Sequence, residues 1–322
     1  MKAMAVPGYG PIDRLRVIDV PEPRPAAREV RVRVVASALN PADWMVIEGA
    51  MRFLHARTEP LVVGYDVSGV VEATGRDVHR FRVGDAVFGF LPYGPLNRRG
   101  AFAEVVNLRV DEVALKPPSI SHQAAAAAAT PGLTALQGIA DLGRLRLGGR
   151  LLVTGVSGGV GSIAVGIGVR LGADVVAVGS GGGLELARAM GATVVWDRTR
   201  GAVPSAAIGR FDVVFDASAR YRWRDWRPAL RSGGAFVTTL PSASFFADKA
   251  CTVLTRTRAH MVAVKSRPDA LARVGQWLVD GLTAPIDSVI PVRDVAAGLE
   301  RLKRGQVRGR VVVDVAGGFA GA

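Results

Sequence analysis

Cysteine is almost absent from this chain, because Cys251 is the only one among 322 residues. A single cysteine excludes an internal disulfide and any metal site built from several cysteines. Sparse cysteine is typical of reducing compartments, and we expect a cytoplasmic protein. The length is sufficient to bury two hydrophobic cores, so we predict two domains.

The sequence also lacks a pattern for membrane insertion. Its N-terminus, MKAMAVPGYG, has no apolar segment of the length that a signal peptide needs. Residues 151–169 are uncharged over the length of a membrane span, but their glycines cluster in a way that a strand–turn–helix unit explains better. We therefore expect no membrane association.

Acidic residues are fewer than basic ones, 28 against 41, and the net charge is +13. Three interpretations stay open: a bias towards arginine on a solvated surface, attraction of anionic ligands, or a nucleic-acid surface. The basic residues are scattered, with small clusters at 220–227 and 301–310. No known nucleic-acid motif is present, so we expect no nucleic-acid partner.

Residues 150–180 have the pattern strand, glycine-rich turn, helix, strand. Glycines let the backbone approach a pyrophosphate, and the helix N-terminus directs N–H groups at it. The flanking strands and helix favour dinucleotide binding over the alternative, a tight turn without a ligand. The predicted cofactor-binding residues of the turn are Gly155, Ser157, Gly158, Gly159, Val160 and Gly161.

The end of the second strand indicates which dinucleotide is bound. NAD sites usually carry Asp or Glu there for the ribose 2′-hydroxyl, whereas this chain has Ser180 followed by three glycines. Without that carboxylate a 2′-phosphate is admissible, so the sequence favours NADPH over NADH. Ser180 can also cap the next helix, and this alternative is compatible with phosphate binding.

Two kinds of pattern divide the chain. Short alternating strands separated by turns dominate the residues before Lys116 and predict a β-rich module. A helix through the alanine run follows, and a second helix is predicted to start near Gly132–Thr134. From Arg150 onward strands and helices alternate, which predicts a doubly wound parallel sheet. The six predicted strands are 151–154, 175–178, 193–196, 213–216, 235–239 and 260–264.

Segments along nearly the whole chain match one enzyme superfamily in order. Among them are SALNPADW (37–44), VVGYDVSGVVEATG (62–75), VTGVSGGVGS (153–162) and RGRVVVDV (308–315). With these segments the chain resembles the zinc-independent quinone oxidoreductase (zeta-crystallin-like) branch of the medium-chain dehydrogenase/reductase superfamily. The resemblance implies an α/β fold with two domains and a homodimer. The domains are a GroES-like β-rich catalytic domain (1–130 with 267–322) and a doubly wound Rossmann domain (131–266).

The resemblance also bears on zinc. Zinc-dependent relatives carry a cysteine where this chain has Leu39-Asn40, a histidine at Tyr65 and a further cysteine near Thr130. Catalytic zinc needs three protein ligands, and Asp66 alone cannot hold a metal. We expect no metal site.

The resemblance assigns the remaining site residues. Asn40 and Asp43 match positions that line the pocket near the nicotinamide and its ribose, and Thr134 matches a position near the carboxamide. These three are the predicted catalytic residues, and Ser218 follows the fourth strand at the cofactor cleft. The alternative interpretation gives these residues a structural role only: Asn40-Pro41 forms a turn, and Asp43 is a helix N-cap.

This chain departs from the family pattern at several positions. Several relatives carry a basic residue that binds the 2′-phosphate, and the matching position in this chain is Gly183. A second contact in the family is made by a tyrosine after the third strand, and the matching position here is Arg198. Arg198 can pair with phosphate more strongly than tyrosine, so Ser180 and Arg198 are predicted to select NADPH. Met45 and Met51 replace two tyrosines of many relatives and make the pocket more apolar.

The sequence therefore predicts an NADPH-dependent, zinc-free oxidoreductase that reduces quinones or related conjugated carbonyls by hydride transfer. An enone or enoyl-thioester reductase is the alternative reaction, and it needs a proton at the α-carbon. A non-catalytic NADPH-binding protein, either a sensor or an RNA-binding protein, is the alternative class. Tyr93, Arg98 and Arg99 either meet an anionic acceptor or belong to an ordinary solvated loop.

Overall fold

The structure is a computed structural model that describes residues 1–52, 59–94, 97–201, 210–240 and 243–319. Short strands and helices alternate along the chain. In chain order they are β1 (Lys2–Val6), β2 (Arg16–Asp19), β3 (Glu29–Ala38), α1 (Pro41–Ile47), β4 (Leu61–Val62), β5 (Asp66–Thr74), β6 (Ala86–Phe90), β7 (Val105–Arg109), β8 (Val113–Leu115), α2 (His122–Leu136), β9 (Arg150–Thr154), α3 (Gly159–Arg170), β10 (Asp174–Gly179), α4 (Gly182–Ala189), β11 (Val194–Asp197), β12 (Phe211–Asp216), α5 (Trp223–Trp226), β13 (Leu230–Thr238), α6 (Ala243–Cys251), β14 (Arg258–Met261), α7 (Pro268–Val279), β15 (Ile286–Pro291), α8 (Val295–Lys303) and β16 (Arg310–Asp314).

The chain forms two compact units. Unit 1 comprises Met1–Thr130, Lys265–Gly281 and Ile286–Ala322, and unit 2 comprises Pro131–Val264 and Leu282–Pro285. The predicted domain bounds differ from these units at residues 265–266 and 282–285. The latter segment belongs to unit 2 because Leu282 packs against Gly166 of α3, and the Thr283 hydroxyl donates to the Met190 sulfur at 3.4 Å.

Unit 2 is built on a parallel sheet. Its described strands lie in the order β11-β10-β9-β12-β13-β14, and every pairing is parallel. All six residues of β12 are buried, as expected for a sheet covered by helices on both faces. The strand order reverses between β9 and β12, and ligands of such sheets bind at the carboxyl ends of the strands there. The predicted α/β fold is confirmed.

Unit 1 is mainly antiparallel. Its larger sheet has the order β15-β16-β3-β5-β6-β8 among the described strands, and β7 also pairs with β3. A smaller sheet has the order β2-β1-β4. β16 pairs with β3, so the C-terminal segment completes the sheet that the N-terminal strands begin.

The helix predicted to restart near Gly132–Thr134 is instead a continuation of α2. Pro131 lies inside α2, which runs to Leu136 and passes into a π-helical turn at Gln137–Leu142. Proline removes one backbone donor, but five buried alanines, Ala125–Ala129, hold the helix in contact with its surroundings. α2 has 15 residues, and no helix in the described part of the chain is long and apolar enough to cross a membrane.

Candidate active site

The glycine-rich turn of unit 2 joins β9 to α3. Gly155 has a φ of +69°, a left-handed conformation that favours glycine. A Cβ at Gly161 would lie 2.2 Å from the Gly155 carbonyl oxygen, so no side chain fits there. α3 begins at Gly159 after the N-cap Gly158. The N–H groups of its first turn, including that of Val160, lack partners within the helix and fit a pyrophosphate.

Gly183 in the first turn of α4 lies against this glycine-rich turn. A Cβ at Gly183 would come within 2.7 Å of the Ser157 Cβ and 3.1 Å of its Cα. A basic side chain at this position would collide with the backbone of the turn. The close packing of α4 on the turn therefore explains the glycine.

Ser180 and Arg198 follow the ends of neighbouring strands. β10 and β11 pair in parallel with Gly179 opposite Asp197, so Ser180 and Arg198 each follow directly after a paired position at the same edge of the sheet. Ser180 is half-buried and Arg198 is exposed. The N-cap of α4 is Gly181, and no side chain caps that helix, so the alternative that Ser180 is the cap is wrong.

A carboxylate does lie at this edge of the sheet, on β11 rather than β10. Asp197 accepts the Thr199 backbone N–H at 2.9 Å and its hydroxyl at 2.7 Å. Both hydrogen bonds hold the pKa of Asp197 below its usual range, and the bond from the Thr199 hydroxyl has the larger effect. The Arg200 guanidinium lies 3.8 Å from the same carboxylate. The charge of Asp197 is thus engaged within its own turn.

A buried carboxylate that sequence reasoning missed joins the ends of β9 and β12. Asp216 accepts the Thr154 hydroxyl at 2.5 Å, the Ser218 hydroxyl at 2.6 Å and the Tyr221 backbone N–H at 3.0 Å. Ser218 therefore uses its hydroxyl hydrogen on Asp216 and can meet a cofactor only as an acceptor. A signal was present, since Thr154 and Asp216 each end an apolar strand at the ligand-binding edge of a parallel sheet.

In unit 1, Asn40 and Asp43 lie together at the start of α1. Asn40 is the N-cap, and the Asp43 carboxylate accepts the Asn40 backbone N–H at 2.6 Å and the Gly64 N–H at 3.1 Å. Asp43 is thus the third residue of the helix and closes a capping box, rather than being the N-cap of the alternative interpretation. Burial raises the pKa of Asp43 to about 8, and the charge of Asp66 adds to the effect.

A buried ion pair lies beside this helix start. Arg310 of β16 donates to Asp66 of β5 and, at 3.0 Å, to Asn40 Oδ1. Asp66 also accepts the Asn40 side-chain amide at 2.8 Å and the Thr130 backbone N–H at 2.7 Å. Asp66 is 0 % exposed and Arg310 and Asn40 are each 4 % exposed. Sequence reasoning missed Arg310, which lies 244 positions from its partner.

The surroundings of Asp66 do not fit a zinc ligand set. One of its oxygens accepts from Thr130, and the other accepts from both Arg310 and Asn40. A zinc ligand needs a lone pair directed at the ion, and the buried guanidinium would repel a cation. Among the described residues, no group of three or more His, Cys, Asp or Glu side chains comes together.

The other predicted site residues are distributed as follows. Thr134 is buried on the part of α2 that belongs to unit 2. Arg99 makes two bonds to the Glu112 carboxylate, at 2.8 and 2.9 Å, so its charge is paired within unit 1. Arg98 is exposed, and Tyr93 is half-buried.

Known proteins resemble this chain over most of its length. Residues 26–118 match the alcohol dehydrogenase GroES-like domain, and residues 190–313 match the zinc-binding dehydrogenase family. A chloroplastic quinone-oxidoreductase homolog of Spinacia oleracea is 28% identical over 98% of each chain. The mitochondrial NAD(P)H oxidoreductase RTN4IP1 of Mus musculus is 30% identical, over 89% of this chain and 82% of that protein. The structure of the quinone oxidoreductase from Coxiella burnetii has the same fold, with a TM-score of 0.86 at 24% identity over 98% of this chain and 99% of that one.

Proposed function

This chain belongs to the medium-chain dehydrogenase/reductase superfamily, among its quinone oxidoreductases, and we propose that it is an NADPH-dependent reductase of quinones or related conjugated carbonyls that uses no metal. The observation that carries the proposal is the glycine-rich turn of unit 2, together with Ser180 and Arg198 at the ends of β10 and β11 on the same edge of the sheet. The turn fits a dinucleotide, and the neighbouring strand ends offer a hydroxyl and a guanidinium where a 2′-phosphate is accepted.

The proposed roles follow from these contacts. N–H groups of Gly159, Val160 and Gly161 hold the pyrophosphate, and Ser218, held by Asp216, accepts from the nicotinamide ribose. A bound NADPH supplies the hydride, and the protein supplies position and electrostatics. No step passes through zinc, because the donors around Asp66 do not leave a ligand set for it.

The reaction needs one proton besides the hydride. A quinone takes up the two electrons and hydrogen of the hydride together with a proton from water, and NADPH becomes NADP⁺. Because water can protonate the reduced oxygen, no dedicated protein acid is required. An enone differs in that its α-carbon must be protonated, so a panel of both acceptors separates the two reactions.

Arg198→Ala tests the cofactor assignment. A charge-assisted hydrogen bond contributes about 1.5–3 kcal/mol, so the Kd for NADPH should rise by roughly 10- to 150-fold while that for NADH stays unchanged. Binding is measured by fluorescence titration in the absence of acceptor. Arg200→Ala is the matched control, since Arg200 is also exposed and already lies beside Asp197.

Unchanged NADPH affinity in Arg198→Ala would refute the pairing of Ser180 with Arg198. The activity itself is tested by following nicotinamide absorbance with NADPH or NADH and a panel of ortho-quinones, para-quinones and enones. Oxidation of NADPH by quinones is the expected result. Binding of NADPH with no turnover by any of these acceptors would refute the proposed reaction.

A homodimer is also proposed. β14 is an edge of the unit 2 sheet among the described strands, and Phe246, Val253 and Leu254 beside it are 61, 83 and 91 % exposed. Exposed apolar side chains of this size at a sheet edge mark a surface that another chain can cover. The cytoplasmic location stays a prediction.

A further inference from the structure

Most hydrogen-bond donors of the polar cluster of unit 1 are used within the cluster. The two side-chain amide hydrogens of Asn40 go to Asp66 at 2.8 Å and to the Ala38 carbonyl at 3.3 Å. Arg310 donates to Asp66 and Asn40, and Asp43 accepts two backbone N–H groups. Arg310 Nε has no partner among the described residues, and Asp43 holds a proton at neutral pH. All four side chains are nevertheless at most 4 % exposed, so they are shielded from a substrate that arrives from solvent.

Tyr93 is placed differently. Its ring meets Tyr65 edge-on at 4.5 Å and Phe90 at 5.1 Å between centroids. The side chain is only half-buried, and no hydrogen bond joins its hydroxyl to any of the residues that the structure describes. Its ring contact with Tyr65, the residue before Asp66 in the chain, places Tyr93 next to the end of β5 where that carboxylate lies. Tyr93 thus combines a fixed ring, an available donor and access from outside the core.

We propose that Tyr93 is a catalytic residue whose hydroxyl donates a hydrogen bond to the carbonyl oxygen of the acceptor. The inference rests on the proposed reductase activity and names the group that stabilises its charged oxygen. When the acceptor receives a hydride, negative charge develops on that oxygen, and a positioned donor stabilises it. The rings of Tyr65 and Phe90, against which Tyr93 packs, hold its ring in place.

Electrostatics define how Tyr93 acts. Burial raises its pKa well above the usual value of a phenol, and the negative charges of Asp43 and Asp66 raise it further, while Arg310 lowers it. The hydroxyl therefore keeps its own hydrogen throughout the neutral range and donates a hydrogen bond without transferring a proton. The proton that completes the hydroquinone comes from water, so electrons and protons balance without an additional reductant.

Tyr93→Phe is the test, because it removes the hydroxyl and retains the ring contacts. Loss of one such donor costs about 10²–10³ in kcat in buried sites, and at a half-buried position we expect a loss of about 10- to 100-fold with a para-quinone. The KM and Kd for NADPH, the melting temperature and the shape of the pH profile should stay unchanged. Tyr93→His, which keeps a donor, should recover part of kcat.

Tyr9→Phe is the matched control, since it removes a buried hydroxyl of the same unit that has no partner among the described residues. It should leave kcat unchanged. If Tyr93→Phe also turns over at the unmodified rate, the assignment of Tyr93 is refuted while the proposed function stands. Equal losses in the Phe and His variants would refute it too. If the unmodified protein reduces no acceptor of the panel, the proposed function and this inference both fail.

Discussion

Replacing Arg310 by methionine should be among the most destabilising single changes in unit 1. Arg310 is 4 % exposed and its partner Asp66 is 0 % exposed, so the ion pair is shielded from water. Methionine has similar length but no charge, and Asp66 would keep only the Asn40 amide and the Thr130 N–H. Removing one partner of a buried ion pair costs about 3–5 kcal/mol.

Hydrogen exchange read by mass spectrometry is the appropriate assay, because two units need not unfold together. Each 1.4 kcal/mol of lost stability raises the exchange rate about tenfold. Peptides of β3, β5 and β16 should therefore exchange faster by roughly two to four orders of magnitude. Strands β9 to β13 of unit 2 should keep their protection. The protein has five tryptophans spread over both units, so fluorescence alone would mix the two transitions.

Arg109→Met provides the comparison. Arg109 is paired with Asp111 at 3.0 Å, but the two side chains are 56 and 52 % exposed, and such pairs contribute about 0–1 kcal/mol. The double variant Arg310→Met with Asp66→Asn should be less destabilised than the sum of the two single variants. If Arg310→Met behaves like Arg109→Met, the reasoning about the buried pair is wrong.

Two further predictions concern pH and the glycine-rich turn. The folded-state pKa of Asp43 is about 8, above about 3.9 in the unfolded chain, so the folded state holds an extra proton between these values. Asp43 should therefore lower the free energy of unfolding by about 1.4 kcal/mol per unit between about pH 4 and pH 8, and denaturant titrations of Asp43→Asn should lack that slope; an unchanged slope contradicts the assignment. Gly161→Ala places a Cβ 2.2 Å from the Gly155 carbonyl oxygen and should raise the Kd for NADPH at least about 100-fold, a cost of about 2.7 kcal/mol. Gly158→Ala, whose Cβ would lie 3.6 Å from that oxygen, should lose much less affinity, and equal losses would show that the close approach is not the cause.

The features that could be predicted from the sequence alone are those formed by residues close together in the chain. The buried strands of unit 2 are uninterrupted apolar runs because a parallel sheet is covered on both faces, so their positions and the doubly wound fold could be derived from the chain. The glycines between β9 and α3 are equally local, since both the left-handed φ at Gly155 and the contact at Gly161 arise within a few residues. Asn40 and Asp43 were found by family resemblance, and their capping box is also a local structure.

Only the tertiary structure decided the partners of these residues. Asp66 and Arg310 lie 244 positions apart, and Thr154 and Asp216 lie 62 apart, so no local pattern pairs them. The continuation of α2 through Pro131 went against local propensity, because burial of the alanine face outweighed one lost backbone hydrogen bond. Hydrophobic periodicity and turn chemistry act over a few residues and determine the elements, whereas hydrogen bonds of buried polar groups depend on which distant strands the sheet brings together.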